Sequence, residues 1–229
     1  MELDTVLKHR NSFYRLCGTE SDDPDLTLQG EGDTEVVDLY LTDGCRNAQQ
    51  WMLDMGYGGW RKRSPALSWT GTDATTGGRS SSLPSDFLRA YGNERESCLR
   101  EANGDPWGTQ ISPERDRLKG NFFYFRGDEL WLARLASPPT TLYLEYHYTH
   151  PGWDGLADGD IDFPKRARRL IVAEAANVAK EENWLPGGPE MEMKIERALR
   201  RARSEARGYS RQTKQPRQFR KVRRVGNRW

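Results

Sequence analysis

The stretch Asn121-Phe122-Phe123-Tyr124-Phe125-Arg126-Gly127-Asp128-Glu129-Leu130-Trp131-Leu132-Ala133-Arg134-Leu135 decides the fold. Two runs rich in aromatic and aliphatic residues flank Arg126–Glu129, whose Gly and Asp suit a tight reversal, so the stretch predicts a β-hairpin. Arg126-Gly127-Asp128 also spells an adhesion tripeptide, but turn chemistry accounts for it. Beyond Pro138-Pro139, Leu142-Tyr143-Leu144-Glu145-Tyr146-His147-Tyr148 alternates in the manner of a third strand. Upstream, Ala66–Thr70 reads as a strand, Gly71–Ser82 as a Gly/Ser/Thr-rich loop, and Leu83–Phe87 as an extended segment entering a turn. The expectation for 64–150 is a small antiparallel sheet or barrel.

Helical periodicity lies on both sides. A short helix is expected over about 3–17, then a polar Gly18–Gly32 loop, then a long helix over Thr34–Gly56. Its stripe is Val37, Leu41, Ala48, Trp51, Met52 and Met55, with Asp33 or Thr34 as cap. After Asp162 and Pro164, the residues Leu170, Ile171, Ala175, Val178 and Ala179 recur at helical spacing. Leu185–Pro189 breaks the chain. Met191, Ile195, Ala198, Leu199 and Ala202 then mark a second helix, with Glu190 and Glu192 early and arginines late, as the helix dipole favours. The fold class expected is therefore α+β: a helical bundle (long helix plus C-terminal αα-hairpin, 1–63 and 151–207), an inserted small antiparallel β module (64–150), and an extended basic C-terminal tail (208–229).

Charge is polarised along the chain. Residues 207–229 carry nine Lys or Arg and no acid, so subtracting +9 from the net +1 leaves −8 for 1–206. Residues 1–60 hold twelve acids against four bases, which places that −8 near the start. Such asymmetry points to an acidic partner, either nucleic acid or a protein surface. Tyr209, Phe219, Val222, Val225 and Trp229 interleave with the bases, which a purely solvating tail would not need. Hydrophobic content of 35% is low, and argues for ordered elements stabilised in part by neighbouring subunits. With no run of 18 apolar residues, no membrane span is expected, and the N-terminus shows no apolar signal core. Cys17, Cys45 and Cys98 are odd in number and far apart, so free thiols in a reducing compartment are expected.

Catalytic patterns do not emerge. His147 and His150, three apart on strand-like sequence, would face opposite ways and make a poor metal pair. Asp158-x-Asp160-x-Asp162 opens like a calcium loop, but Phe163 and Arg169 stand where Gly and Glu are needed. No Walker loop, Cys-x-x-Cys, GxSxG or HExxH occurs. The expectation is a non-enzyme with no cofactor, metal or catalytic residues.

The order of features resembles the head-to-tail adaptors of tailed bacteriophages, also called connector or neck proteins. The likeness is carried by Leu83-Pro84-Ser85-Asp86-Phe87-Leu88, Gly127–Leu132, Pro138-Pro139, Leu144–Tyr148, Pro151, Asp160–Pro164, Arg169–Ala176 and the basic ending. It spans about 34–229. It implies a helical bundle with an inserted β region, assembled as a ring of typically twelve copies beneath the portal protein ring. The β region would face tail or nozzle proteins, the DNA channel would stay continuous, and non-specific contact with channel DNA is left open. Localisation would be the virion neck, after assembly in the host cytoplasm. The C-terminal arm would bind portal: Arg211, Lys214, Arg217, Arg220, Lys221, Arg223, Arg224 and Arg228 would meet acidic groups, with Phe219 and Trp229 as apolar anchors. The long Gly18–Gly32 and Gly71–Ser82 segments and the arginine-rich ending depart from a minimal adaptor. The alternative is a non-specific nucleic-acid-binding protein using the C-terminal arm.

Overall fold

In a computed structural model, the described residues are 3, 5–17, 31–72, 78–91, 97–111, 121–133, 141–153, 161–182, 184 and 188–213. They divide into two compact units, one formed by 1–58 with 152–229 and the other by 59–151.

In the first unit, α1 (Val6–Cys17), α2 (Glu31–Asp54) and α4 (Pro189–Thr213) pack around α3 (Arg168–Glu181). α3 buries Leu170, Ile171, Val172, Ala173, Ala175, Ala176 and Ala179, almost all the way round, as a central helix must. Its alanines allow close approach, and α2 answers with Gly44. A Cβ on Gly44 would fall 2.5 Å from the Ile171 carbonyl and 2.8 Å from the Ala175 Cβ. Glycine inside a helix costs about 1 kcal/mol against alanine; here the close crossing requires it. The buried stripe of α2 is Val37, Leu41, Cys45, Ala48, Met52 and Leu53, while Trp51 is half-buried. Arg168 ties the entry to α3, donating to the carbonyls of Phe163, Ile161 and Leu3 at 2.9–3.0 Å. Trp153 is fully buried against His9, ring centroids 4.7 Å apart, and its backbone N–H donates to Thr42 Oγ1 at 2.8 Å.

The second unit holds two sheets sharing one core. In the first sheet β9 (Leu142–Tyr148) is central, with β1 (Arg61–Arg63) on one side and β4 (Phe87–Ala90) and β5 (Leu99–Glu101) on the other. The second runs β2 (Gly71–Thr72), β3 (Arg79–Ser82), β8 (Glu129–Ala133), β7 (Phe122–Arg126), β6 (Thr109–Gln110). Phe123, Leu130 and Leu132 from the second sheet meet Leu99, Leu142, Leu144 and Tyr146 from the first, with Trp107 and Leu67. The β7–β8 hairpin pairs Phe122 with Ala133, and Gly127 turns it at φ +58°.

This architecture corrects the expected helical bundle with a small antiparallel module. The β region is two multi-strand sheets, and β6 pairs with β7 in parallel. β9 does not extend the hairpin sheet; it centres the other one. The strand expected at Ala66–Thr70 lies instead at Arg61–Arg63, and Arg79–Ser82 is a strand rather than loop. Both misreadings have one cause. Arg-Lys-Arg and Arg-Ser-Ser-Ser have no apolar alternation, so backbone pairing rather than periodicity makes them strands. The long helix starts at Glu31, two residues before Asp33 and three before Thr34, the expected caps. The expected extended tail is also corrected at its start, because α4 continues to Thr213. Nothing from Arg207 to Thr213 stops a helix except the tolerable Gly208, and the first proline is Pro216.

Candidate functional site

Strand alternation separates the faces of the first sheet. Leu142, Leu144 and Tyr146 of β9 enter the core, so Tyr143, Glu145 and His147 point outward. Register adds the neighbours: Arg61 and Arg89 lie opposite His147, Arg63 opposite Glu145, and Arg100 opposite Tyr143. Among the described residues, four guanidiniums thus accompany one carboxylate, Glu145, leaving four minus one, or +3, on this face.

The cluster is held in place from several directions. Arg61 and Arg100 (3.0 Å) both donate to Glu145 Oε2, bridging the strands on either side of β9. Burial works to raise the Glu145 pKa, but these two donors outweigh it and hold the carboxyl below its ordinary value. Arg61 lies over the Tyr91 ring at 3.8 Å and Arg63 over Tyr143 at 4.0 Å. Arg63 also donates to the Glu101 carbonyl at 3.0 Å. Beneath Arg61 and Tyr91, the buried His147 donates Nδ1–H to the Gly59 carbonyl at 2.9 Å. Burial and the charges of Arg89 and Arg61 lower its pKa, so it is neutral and adds no charge. Trp60, at φ +54° with its ring buried, turns the chain into β1.

The other surface of note is α4. From Pro189 to Gly208 only Ile195, Ala202 and Ala206 are buried, and Met193 is 49% exposed. Leu199 is half-buried, not the core residue that periodicity suggests. α4 is fixed to α3 by Arg203, which donates to buried Glu174. A groove of about 260 Å³ lies between α1, α3 and α4, lined by Leu16, Val172, Ala198 and Ala202 with Arg169 and Arg201.

Of the residues expected to bind a partner, Arg211 lies in the last turns of α4. Lys214, Arg217, Phe219, Arg220, Lys221, Arg223, Arg224, Arg228 and Trp229 lie outside the described residues, as do Asp158, Asp160, Pro138 and Pro139. The arginine face has no local sequence signature because its arginines sit on three strands separated in sequence. The available signal was the polar set Tyr143, Glu145 and His147 on an otherwise apolar strand.

The thiols are poor nucleophiles. Cys17, Cys45 and Cys98 are free and buried, and burial pushes the thiols up, those of Cys17 and Cys98 to about 12. Among the described residues no group of three or more His, Cys, Asp or Glu side chains is placed to hold a metal ion, and no helix is long and apolar enough to cross a membrane. No protein-family model matches the chain, and no curated protein does.

Proposed function

We propose that this chain is a structural assembly protein, a head-to-tail adaptor that forms a ring joining the portal vertex of a tailed-phage head to its tail. The observation that carries the reading is α4. A helix of 25 residues whose described part buries three side chains leaves most of its surface for other chains. Tertiary packing normally stabilises a protein helix, and here neighbouring copies and portal supply what the chain does not. The helix runs to Thr213, next in sequence to the basic segment 214–229, and in this reading that segment binds the acidic partner. Weak contacts repeated around a ring add by avidity. The adaptor resides in the virion neck after assembly in the host cytoplasm, and the ring holds about twelve copies by family likeness.

Negative-stain microscopy of the purified chain, alone and mixed with portal, tests this. Closed rings, or rings formed on portal, are expected. A chain that stays monomeric in both samples overturns the reading. Binding to duplex DNA that vanishes when the basic residues of 214–229 are neutralised, without any ring, would favour the nucleic-acid arm instead.

A further inference from the structure

We propose that the outer face of the β9 sheet, presented by Arg61, Arg63, Arg89 and Arg100, binds the phosphodiester backbone of double-stranded nucleic acid. The argument begins with how the charge is laid out. Arg61 and Arg63 form a row on β1, and Arg89 and Arg100 form a row on the other side of β9. Two strand spacings separate the rows, roughly 10 Å at the backbone. Among the described residues the single carboxylate, Glu145, lies on the strand between them. The face is therefore positive along two rims and neutralised along its midline. An acidic peptide laid along β9 would meet Glu145, whereas a duplex offers two phosphate strands across a groove and meets both rims.

The side chains are also prepared for such a ligand. A guanidinium has five N–H donors in a planar fork, and stacking on a tyrosine ring uses its face while leaving its edges. Arg61 over Tyr91 and Arg63 over Tyr143 are held this way. Ordering cost is thus met before binding. Lone surface arginines on an edge strand would serve only to prevent sheet-to-sheet association; that role does not call for two further arginines on the opposite flank or for rings beneath them. Base edges are not read, so binding is independent of sequence.

This goes beyond the adaptor reading and is tested without portal, so either can fail while the other stands. The probe is a fluorescent 20-base-pair duplex, titrated with the full chain across a range of salt concentrations. Three full-length variants are compared with wild type: Arg63→Glu/Arg89→Glu on the face, Arg197→Glu/Arg200→Glu on α4 as a control with the same net charge change, and a variant with Arg217, Arg220, Lys221, Arg223 and Arg224 all changed to Gln. Binding at least ~10-fold weaker in the face variant than in the α4 control is expected, with a shallower salt slope, since each phosphate contact contributes about −0.9 to it. The arm variant should retain duplex binding that the face substitutions then remove. Equal binding by the face variant and the α4 control overturns the proposal, as does tighter binding of poly-glutamate than of duplex. If circular dichroism shows the face variant unfolded, Arg63→Gln/Arg89→Gln takes its place, with the same outcomes deciding.

Discussion

Arg203 of α4 holds the buried carboxylate of Glu174 on α3 at 2.8 Å, and this pair is the buried polar fastening between those helices, beside the more exposed Arg169–Glu205 pair at 3.5 Å. Glu174 keeps 4% of its side chain exposed while Arg203 keeps 41%, so the acid is the partner that suffers when the pair is broken. Arg203→Met should cost about 2–4 kcal/mol at pH 7, less than a fully buried pair because Arg203 reaches solvent. Burial raises the Glu174 pKa, with Arg203 opposing it, so the folded value lies above the unfolded one. Stability linked to Glu174 is therefore fully present below the unfolded carboxyl pKa and declines as pH rises through the folded value. Losing Arg203 lifts the folded value further. Urea denaturation should show the Arg203→Met deficit shrinking as pH falls from 7 toward 5, and Glu174→Gln in that background should restore most of the loss. A deficit independent of pH would contradict this.

Gly44→Ala separates propensity from packing. Alanine is the better helix former by about 1 kcal/mol. Its methyl, however, would fall 2.5 Å from the Ile171 carbonyl oxygen, a backbone atom that cannot swing aside. A net destabilisation of about 1–3 kcal/mol by chemical denaturation is expected. A more stable Gly44→Ala protein would mean that α2 and α3 do not cross this closely.

How legible was this in the sequence? The central helix was, because Leu170, Ile171, Ala175 and Ala179 hold the helical period and are all fully buried. The 122–133 hairpin was too, since its turn chemistry and flanking apolar runs are local. What periodicity could not supply was pairing between distant segments. Arg61-Lys62-Arg63 becomes a strand only because Glu145, Tyr146 and His147 lie opposite it. Ser80 and Ser81 are buried because Trp131 and Leu130 cover them from β8. The arginine face inherits this difficulty. The basic arm was conspicuous by composition, yet its beginning at 208 was misplaced because a charge run does not itself end a helix.

Ile171→Asp and Leu199→Asp should now differ. Ile171 is fully buried at the centre of the helical unit, so a carboxylate there is desolvated without a partner, costing several kcal/mol, roughly 4 or more. Leu199 is half-buried on α4, and its substitution should cost about 1–2 kcal/mol. Equal losses of melting midpoint would contradict the partial exposure of α4.

Gly127→Val tests the hairpin through backbone strain alone. The residue has φ +58°, and a Cβ there meets nothing within 4 Å. The expected loss, about 1–2 kcal/mol, is the left-handed penalty on a β-branched residue. Gly127→Asn should lose much less, because asparagine tolerates that region. Val and Asn variants of equal stability would show that the turn relaxes to another conformation.

Removal of Lys214–Trp229 addresses the proposed portal contact, and α4 sets where the cut belongs. Cutting at 208 would take the end of a helix that runs to Thr213; cutting after Thr213 removes only the segment beyond it. Eight cations occur from Arg211 onward, seven of them within 214–229, so the truncation takes away most of the charge offered to an acidic partner. The shortened chain should keep the circular dichroism and melting transition of wild type, because the cores of both units are built, among the described residues, from side chains before 214. Portal co-sedimentation should be lost, and phage carrying the truncation should yield DNA-filled heads that leak or lack tails. Unchanged, infectious tailed particles would refute the docking role. Retained portal binding with faster genome loss would move the arm's partner from portal to channel DNA.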